Sequence, residues 1–529
     1  MQTTTLETAM ESIGSDPRSR GRRRLLAALS GLAAAAVALG VAELATAVVN
    51  PASSPVVAVG DAVITVVPEP VKELAIAAFG QHDKTALIVG TLILTALYAM
   101  GVGLVSLRSP GLGTVGILAF GLVGLAAAVT RPASGPLDGL PSLAGAAAGV
   151  VTLRALIARI PVPDVDPGTG PDPDRRRFLV ASGVAVGVAA LAGGGGRLLQ
   201  RRFDVSAARD ALVLPRPASP AGALPRGADL SRRVHGLTPL FTGNRDFYRI
   251  DTALTVPQVR PADYRLTLTG MFDVPGSHTL DDLMGRSDLI ERDITLTCVS
   301  NEIGGGLAGT ARWLGVPLGA LLREHGVRSG SDQLVCRSTD GMTIGAPTRS
   351  ALEVADAMLA FGMNGEPLPV EHGFPVRMII PGLYGYVSAC KWLTRIQATT
   401  FAAFDAYWVE RGWAARGPIK VASRIDTPAS GRTFTAGRRA VAGVAWAQTR
   451  GIGRVEVRVD DGDWMDAELS PEVGLDLWRQ WVLPHDFAAG RHTITVRATT
   501  LDGETQTDDL ADPFPNGASG WHSVVVTAH

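Results

Sequence analysis

Cys298 is the residue of this sequence whose type and surroundings best suit chemistry. It ends a β-branched run, Ile294 to Cys298, and precedes a loop with three consecutive glycines, Gly304 to Gly306. A strand end that enters a glycine-rich loop lets the backbone approach a ligand closely. A thiolate there would bind a soft metal or act as a nucleophile. On residue type alone, a buried structural cysteine is the alternative, and it is our reading of Cys336 and Cys390.

Composition and missing motifs exclude several other chemistries. The sequence has no CxxC, CxxCH or HExxH, which argues against an iron–sulfur cluster, a c-type haem and a zincin site. Three cysteines in a long chain cannot form a disulfide framework. With 49 Lys+Arg against 50 Asp+Glu the net charge is −1, so no basic field attracts nucleic acid. A chain of 529 residues also exceeds one domain.

Apolar residues are concentrated before residue 200 and indicate membrane segments. Mean hydropathy is +0.21, and only 19% of residues are charged. A bilayer core of about 30 Å needs roughly 20 helical residues. Five stretches satisfy this, at about 25–48, 85–107, 110–129, 141–158 and 178–196. We therefore expect a membrane domain of about five transmembrane helices in residues 1–200.

Basic residues predict the orientation of these spans. With a cytoplasmic N-terminus, eleven arginines fall on the cytoplasmic side, and Lys72, Lys84 and Arg131 fall outside. The positive-inside rule then makes the chain a multi-pass plasma-membrane protein with its C-terminal half extracytoplasmic. The single histidine before residue 235, His82, lies in a polar outer loop. Because the spans lack paired haem ligands and buried ionisable clusters, we interpret them as an anchor or docking surface.

The last span begins with a second localisation signal. Arg175, Arg176 and Arg177 are followed by Phe178 and Leu179 and then by a Gly/Ala-rich run. This arrangement resembles the twin-arginine export motif, whose route carries folded proteins and suits a domain that receives its cofactor in the cytoplasm. The alternative is that the three arginines only obey the positive-inside rule.

The composition changes again after the spans. Residues 201–235 are rich in Pro, Ala and Gly without periodicity, which predicts an extended tether. Residues 236–415 mix strands and helices. Tyr264–Gly270 alternates as a half-buried strand, Thr279–Met284 has the pattern of an N-capped helix, and a helix presents Leu318, Leu321 and Leu322 on one face. Because no regular βαβ repeat is present, we expect an α+β domain.

Short strands separated by turns fill residues 416–529. They fit an all-β sandwich of immunoglobulin-like type. No catalytic constellation is visible there, so assembly is the expected role. The predicted strands are Val441–Ala447, Val455–Val459, Trp481–Leu483, Thr493–Thr499 and His522–Thr527.

Four motifs, which follow one another along the chain, give residues 236–529 a specific family likeness. They are NRDFYR from Asn244, TLTCVSNEIGGG around Cys298, MNGEPLP with HGFPVR from Met363, and PGLYG leading to KWL from Pro381. Together they resemble the sulfite oxidase family of molybdopterin-dependent oxidoreductases. The terminal sandwich resembles that family's dimerisation domain, through IGRVEVRVDDGDW and PFPNGASGWH. The resemblance implies a homodimer.

The resemblance also implies the cofactor and the residues that hold it. In this family a pyranopterin dithiolene and one cysteine bind molybdenum, which makes Cys298 the metal ligand and catalytic residue. Thiolate donors suit a metal that cycles by two electrons. Arg377 and Lys391 match anion-binding positions for the cofactor phosphate, and an arginine offers a bidentate fork. The remaining cofactor-binding residues implied in this way are Asn244, Tyr248, Arg249, Ser338, His372, Ala389 and, through its backbone, Cys390.

Two departures from the family bear on the substrate. Phe361 stands where a tyrosine is expected before the Met-Asn-Gly block, and Ile250 falls where an arginine is expected. A pocket without that hydroxyl and that cation would stabilise a sulfite dianion poorly. The family likeness predicts two-electron oxo transfer on a small or sulfur-containing substrate. Reduction of methionine sulfoxide or another S- or N-oxide is the alternative.

Electrons must also enter or leave the site. The spans offer no haem ligands, so we expect a separate electron-transfer partner, a cytochrome or a quinone-linked protein. Two other interpretations remain at this stage: an exported sensor or scaffold that kept the fold, and a transporter with an exported binding domain. Intact Cys298 and Arg377 argue against the first, and the lack of polar residues in the spans argues against the second.

Overall fold

The computed structural model describes residues 17–67, 71, 83–131, 134–161 and 173–529. Lys72 and His82, named above, lie outside these residues. The chain divides into two compact units. The first comprises residues 1–204 with 253–255, and the second comprises residues 205–252 and 256–529.

Helices make up the first unit. Five of the helices in its described residues are long and apolar enough to cross a membrane, and they coincide with the five predicted stretches. The sixth helix, α2, is apolar but too short to cross a membrane. The helices are α1 Pro17–Thr46, α2 Pro55–Val66, α3 Asp83–Ser106, α4 Pro110–Val129, α5 Leu140–Ile157 and α6 Pro173–Gln200.

Small residues bring these helices into backbone contact. A Cβ added at Gly31 of α1 would overlap the carbonyl of Ala99 on α3, and one added at Gly103 would overlap the carbonyl of Ala27. Such small-residue contacts are typical of helices packed in a lipid environment. At the end of α1 the carboxylate of Glu43 accepts hydrogen bonds from Ser54 and from Gln200, the latter at 3.0 Å. The one acidic residue of this helix is therefore paired within the unit.

Two sheets form the first part of the second unit. One has the strand order β2-β1-β10-β5-β6, and the other has the order β3-β4-β7-β8 with β9 paired to β7. Fully buried Leu266, Leu334, Leu359 and Met378 belong to one core that draws on both sheets. The strands are β1 Arg265–Gly270, β2 Gly276–Thr279, β3 Ile290–Thr297, β4 Ala308–Pro317, β5 Gln333–Ser338, β6 Thr343–Pro347, β7 Met358–Met363, β8 Glu366–Pro367, β9 Arg377–Ile379 and β10 Leu393–Thr399.

Short helices precede or connect these strands, and two of them confirm sequence predictions. The helices are α7 Ser206–Asp210, α8 Leu280–Met284, α9 Leu318–Glu324, α10 Thr348–Glu353 and α11 Gly385–Ser388. Thr279 caps α8: its hydroxyl accepts from the Asp282 N–H at 3.0 Å, and the Asp282 carboxylate accepts from the Thr279 N–H at 2.8 Å. The predicted apolar face of α9 is fully buried.

Residues 205–235 pack against the rest of the second unit, whereas the sequence predicts an extended tether. Val205, Ala228 and Leu230 are each at most 2% exposed and belong to hydrophobic clusters of the second unit. The Leu230 N–H donates to Gln480 Oε1 at 2.6 Å. Isolated apolar residues in a Pro-rich segment can pack without periodicity, because an extended chain need not present one face.

Residues 416–529 form two further sheets with strand orders β11-β13-β17-β16 and β12-β19-β18-β14-β15. Side chains of both sheets, among them Val441, Trp481, Val457 and Ile494, share one core. All five strands predicted there are present. The strands are β11 Ala422–Thr427, β12 Thr433–Phe434, β13 Gly437–Trp446, β14 Ile452–Val459, β15 Met465–Asp466, β16 Glu468–Leu469, β17 Arg479–Phe487, β18 Gly490–Thr500 and β19 His522–Ala528.

Candidate functional site

Cys298 follows the last residue of β3, as the sequence predicts. In the antiparallel pair β3–β4, Thr297 lies opposite Ala308, so residues 298–307 form the connection between the two strands. The Cys298 N–H donates to Leu307 O at 2.9 Å, and the Asn301 side chain accepts from the Leu307 N–H at 2.7 Å. The two ends of the loop are thus bonded to each other, which fixes the backbone of Cys298.

The Cys298 thiol is buried, and its pKa reflects opposing effects. Burial raises the pKa, whereas hydrogen bonds from Ser300 and the positive charge of Lys391 lower it. The donors of Ser300 lie two residues beyond the thiol and would stabilise a thiolate. Sequence reasoning missed Ser300 as a site residue, although a hydroxyl residue so close to the cysteine was a possible signal.

Two cations belong to this site: Lys391, whose charge acts on the Cys298 thiol, and the buried Arg377. Burial lowers the pKa of Arg377 to about 10 and the pKa of Lys391 to about 8. Lys391 Nζ donates to Asp251 Oδ2 at 2.8 Å, and Arg249 Nε donates to the same oxygen at 2.8 Å. Asp251 therefore joins two predicted cofactor residues. It was not predicted, because nothing in its local pattern distinguishes it from a solvated aspartate.

A glycine turn allows the two cations to approach each other. Gly373 has a φ of 111°, a conformation that residues with a side chain rarely adopt. A Cβ at this position would lie 3.1 Å from Cβ of Arg377 and 3.1 Å from Cβ of Lys391. The glycine of the HGFPVR motif thus places both side chains around one point.

Aromatic and amide groups form the next side of the site. Phe247 stacks on Tyr248 and meets the His372 ring edge-on, with centroids 5.3 Å and 5.5 Å away. The Arg377 guanidinium lies over the Trp313 ring at 5.1 Å. Burial and the neighbouring Cys298 raise the pKa of Tyr248, so its hydroxyl stays protonated.

Asn244 and His372 are joined by hydrogen bonds within the protein. His372 Nε2 is assigned as the donor to Asn244 O at 3.1 Å, and the Asn244 side chain accepts from Asn364 Nδ2 at 2.8 Å. Asn364, whose φ is 54°, also accepts a hydrogen bond through its side-chain Oδ1 from the Arg312 backbone N–H at 2.9 Å. Asn364 belongs to the MNGEPLP motif, but the sequence does not predict it as a site residue. Its hydrogen bond to Asn244 shows that it helps to position the NRDFYR motif.

The other predicted residues lie along the same chain segments. Ser338 ends β5 opposite Leu393, and its buried hydroxyl has no hydrogen-bond partner among the described residues. Ala389 ends α11, and the Cys390 carbonyl accepts from the Met378 N–H at 2.9 Å. Electrostatic coupling connects Tyr248, Cys298, Arg377, Lys391, His372 and Arg249 into one cluster. No described contact joins Ser338 directly to Cys298.

Buried groups without partners test whether a cofactor fits here. Among the described residues Arg377 donates through Nη1 to His372 O at 3.1 Å, but its buried Nε has no hydrogen-bond partner. A buried cation without a counterion is costly. A phosphate-bearing group would supply the missing charge, and a thiol near the positive charge of Lys391 suits a soft metal. The residues fit a molybdenum–pterin cofactor.

One expectation about the substrate pocket is wrong. Phe361, expected at a substrate position, is 0% exposed and packs in the core shared by the two sheets. Alternate residues of β7 face opposite cores, and Phe361 shares its side with Leu359, so it cannot line an open pocket. Ile250 is 48% exposed. The substrate surroundings are therefore to be sought nearer Cys298, where burial, with a contribution from the charge of that cysteine, raises the pKa of Tyr384 to about 12.

Acid should destabilise the cofactor-free chain partly through His372. Burial lowers the pKa of His372 to about 4 from an ordinary 6.5, so between these values the unfolded chain binds more protons. Stability contributed by neutral His372 is complete above pH 6.5 and is lost as pH falls towards 4. At about 1.4 kcal/mol per unit the effect reaches at most about 3 kcal/mol.

Thermal unfolding between pH 7 and pH 4.5 measures this effect. The midpoint of the wild-type chain should fall more steeply with acid than that of His372→Gln, which keeps an N–H donor but does not titrate. Exposed His235→Gln is the matched control and should behave as wild type. Equal slopes for the wild type and His372→Gln would contradict the assignment.

Comparisons with known proteins find a matching family model and similar proteins. Residues 253–408 match the family model described as the oxidoreductase molybdopterin binding domain. Mitochondrial sulfite oxidase of Mus musculus is 30% identical over 329 residues, which are 52% of this chain and 59% of that protein. Nitrate reductase [NADH] of Solanum lycopersicum is 32% identical over 171 residues, 27% of this chain and 19% of that protein. The chain thus spans 59% of the mouse sulfite oxidase.

A solved structure is also similar. The sulfane dehydrogenase SoxCD from Paracoccus pantotrophus is 22% identical, with a TM-score of 0.48, and the match covers 56% of this chain and 85% of that chain.

Proposed function

Because the chain belongs to the sulfite oxidase family of molybdopterin oxidoreductases, we propose that it carries out two-electron oxo transfer on a small sulfur-containing substrate. One observation carries this proposal: the charge of Lys391 acts on the buried Cys298 thiol, the buried Arg377 lies beside Lys391 at Gly373, and Arg377 Nε lacks a hydrogen-bond partner among the described residues. A non-catalytic sensor or scaffold would have no need to keep such costly charges buried.

Each residue has a separate task in this proposal. The bound cofactor would supply a metal that accepts or donates two electrons together with an oxygen atom. Cys298 would hold the metal through its sulfur, with its thiolate stabilised by Ser300 and Lys391. Arg377 and Lys391 would bind the phosphate, and Asp251 fixes the lysine at 2.8 Å.

The remaining predicted residues would line the cofactor around these contacts. Asn244 and His372 would contact the pterin, and their mutual hydrogen bond at 3.1 Å holds the opening motif in place. Tyr248, Arg249, Ser338, Ala389 and Cys390 complete this proposed set. The buried Ser338 hydroxyl suits it best, since it has no partner within the part of the chain that the structure describes.

Two protonated tyrosines favour a second candidate reaction, the reduction of a sulfoxide or another S- or N-oxide. Burial raises the pKa of Tyr248 and of Tyr384, and the charge of Cys298 adds to both shifts, so both hydroxyls remain neutral. A neutral hydroxyl donates well to the oxygen of a neutral sulfoxide. Reduction would consume two electrons and two protons and release the oxygen as water.

The first unit would anchor the enzyme in the plasma membrane, with the second unit on the extracytoplasmic side. Five helices of sufficient length and the eleven arginines support this topology. Arg175, Arg176 and Arg177 support twin-arginine export. Protease digestion of spheroplasts tests the topology, since only an external second unit is cut. A cytochrome or a quinone-linked protein would exchange the electrons.

We assign residues 1–200 to the membrane domain, 201–235 to the connection, 236–415 to the catalytic domain and 416–529 to the dimerisation domain. The shared core of the last two sheets supports an immunoglobulin-like sandwich. A homodimer would form through it.

Assays of the purified full chain in detergent test the function. Sulfite oxidation is followed with ferricyanide as electron acceptor, and methionine sulfoxide reduction is followed with a reduced viologen dye as donor. We expect turnover in one direction that scales with molybdenum content. Cys336→Ala, which alters a core cysteine on β5, is the matched control for Cys298→Ala and should keep its activity per molybdenum. Molybdenum-loaded protein that turns over neither substrate would overturn the proposal.

A further inference from the structure

The glycine-rich loop after Cys298 is held from the C-terminal β region, residues 416–529. Arg424 on β11 donates from Nη1 to the carbonyl of Gly305 at 2.9 Å. The guanidinium is itself fixed, because Nε donates to Asp426 Oδ1 at 2.6 Å and Nη2 donates to Thr238 Oγ1 at 2.9 Å. Arg424 is only 9% exposed, so its bond to Gly305 is shielded from water.

His522 on β19 shapes the same loop. The Ile425 N–H donates to His522 Nδ1 at 3.0 Å, which fixes the orientation of the ring. Gly304 has a φ of 74°, and a Cβ on it would overlap the His522 ring. Position 304 therefore requires glycine for two reasons: its backbone has a positive φ, and the imidazole of His522 leaves no room for a side chain.

The strand before Cys298 is held from the same region. Gln448 donates from Nε2 to Thr295 O at 2.8 Å and to Thr297 Oγ1 at 3.4 Å, and Thr297 directly precedes the cysteine. Thr295 Oγ1 accepts from the Trp478 N–H at 2.7 Å, and the Thr295 N–H donates to Asp476 O at 2.9 Å. Gln448 is 3% exposed. The backbone on both sides of Cys298 is therefore bonded to the C-terminal β region.

We propose that Arg424 and Gln448 are positioning residues that fix the direction in which the Cys298 sulfur points, Arg424 through the loop and Gln448 through the strand. This inference rests on the proposed function, in which that sulfur binds the metal. It gives the C-terminal β region a role in the chemistry besides the assembly expected from its sequence. Neither side chain has a described hydrogen bond to the thiol: Arg424 acts through the Gly305 carbonyl, and Gln448 acts through the Thr295 carbonyl and the Thr297 hydroxyl.

Arg424→Met and Gln448→Leu in the full-length, cofactor-loaded chain test the proposal, with the exposed Arg438→Met as matched control. Hydrogen exchange reports on each contact separately. We expect exchange at residues 303–307 to rise about tenfold or more in Arg424→Met, since a shielded bond to a charged donor is lost. In Gln448→Leu the rise should fall on residues 295–298. Arg424→Lys should restore part of the protection.

A spectroscopic readout separates positioning from a general loss of stability. The paramagnetic signal of half-reduced molybdenum depends on the direction of the metal–sulfur bond. We expect this signal to shift in both variants at unchanged molybdenum per chain, with a lower kcat and little change in KM. An unchanged signal together with wild-type exchange in either variant would overturn the proposal. Absence of molybdenum from the wild-type chain would instead overturn the proposed function itself.

Discussion

Cys298→Ser should lower the rate of oxo transfer by on the order of a thousandfold or more, which corresponds to about 4 kcal/mol of lost transition-state stabilisation. A serine hydroxyl stays protonated at neutral pH and is a hard donor, whereas a thiolate shares charge with a metal that changes by two electrons. The pterin should remain bound, because in the proposed site its phosphate would be held by Arg377 and Lys391 and not by the cysteine.

The measurement is activity per bound pterin, with pterin determined by fluorescence after oxidative release. Cys336→Ser is unsuitable as a control, since it would bury an unpaired hydroxyl in the core, so Cys336→Ala serves for comparison. Near-normal turnover in Cys298→Ser would show that the sulfur is not part of the reacting centre. Joint loss of pterin and activity would show that the cysteine, and not the cations, anchors the cofactor.

Replacing Arg377 by methionine should have opposite effects on cofactor binding and on stability. Loss of a charged donor should weaken cofactor retention by about 10–100-fold, the usual range for one hydrogen bond to a charged group. The cofactor-free chain should become more stable, because burial disfavours the charge of Arg377 and lowers its pKa to about 10. A merely structural arginine would lose stability in both states.

Dialysis followed by pterin determination measures retention, and thermal unfolding of cofactor-free protein measures stability. Arg377→Lys keeps the charge but loses the fork, so its retention should fall between that of the wild type and that of Arg377→Met. Exposed Arg395→Met on β10 is the matched control and should change neither quantity. Unchanged retention in Arg377→Met would contradict the assignment of the phosphate site.

The sequence predicted those features of the fold that depend on residues close together in the chain. The capping of α8 by Thr279 and the buried face of α9 follow from spacings of three or four residues. The end of β3 at Thr297 was predictable because the β-branched run meets a glycine-rich loop. The order of the motifs likewise predicted Cys298, Arg377 and Lys391 as site residues.

Contacts between distant residues were not predictable. Asp251 and Lys391 are 140 positions apart, and Arg424 and Gly305 are 119 apart, so no periodicity connects them. Phe361 shows the converse error. A position inferred from a neighbouring motif was assigned to the substrate pocket, but the alternation of β7 turns it into the core. The same reasoning missed the packing of Leu230, because a Pro-rich segment carries no repeating pattern.

The most direct test of the central claim is X-ray absorption at the molybdenum edge of the purified chain, which counts the sulfur atoms bound to the metal. The wild-type chain should contain molybdenum with one more sulfur neighbour than Cys298→Ser. Molybdenum with the same sulfur count in both proteins, or wild-type protein without molybdenum, would contradict the claim that Cys298 is the ligand of a molybdenum–pterin cofactor.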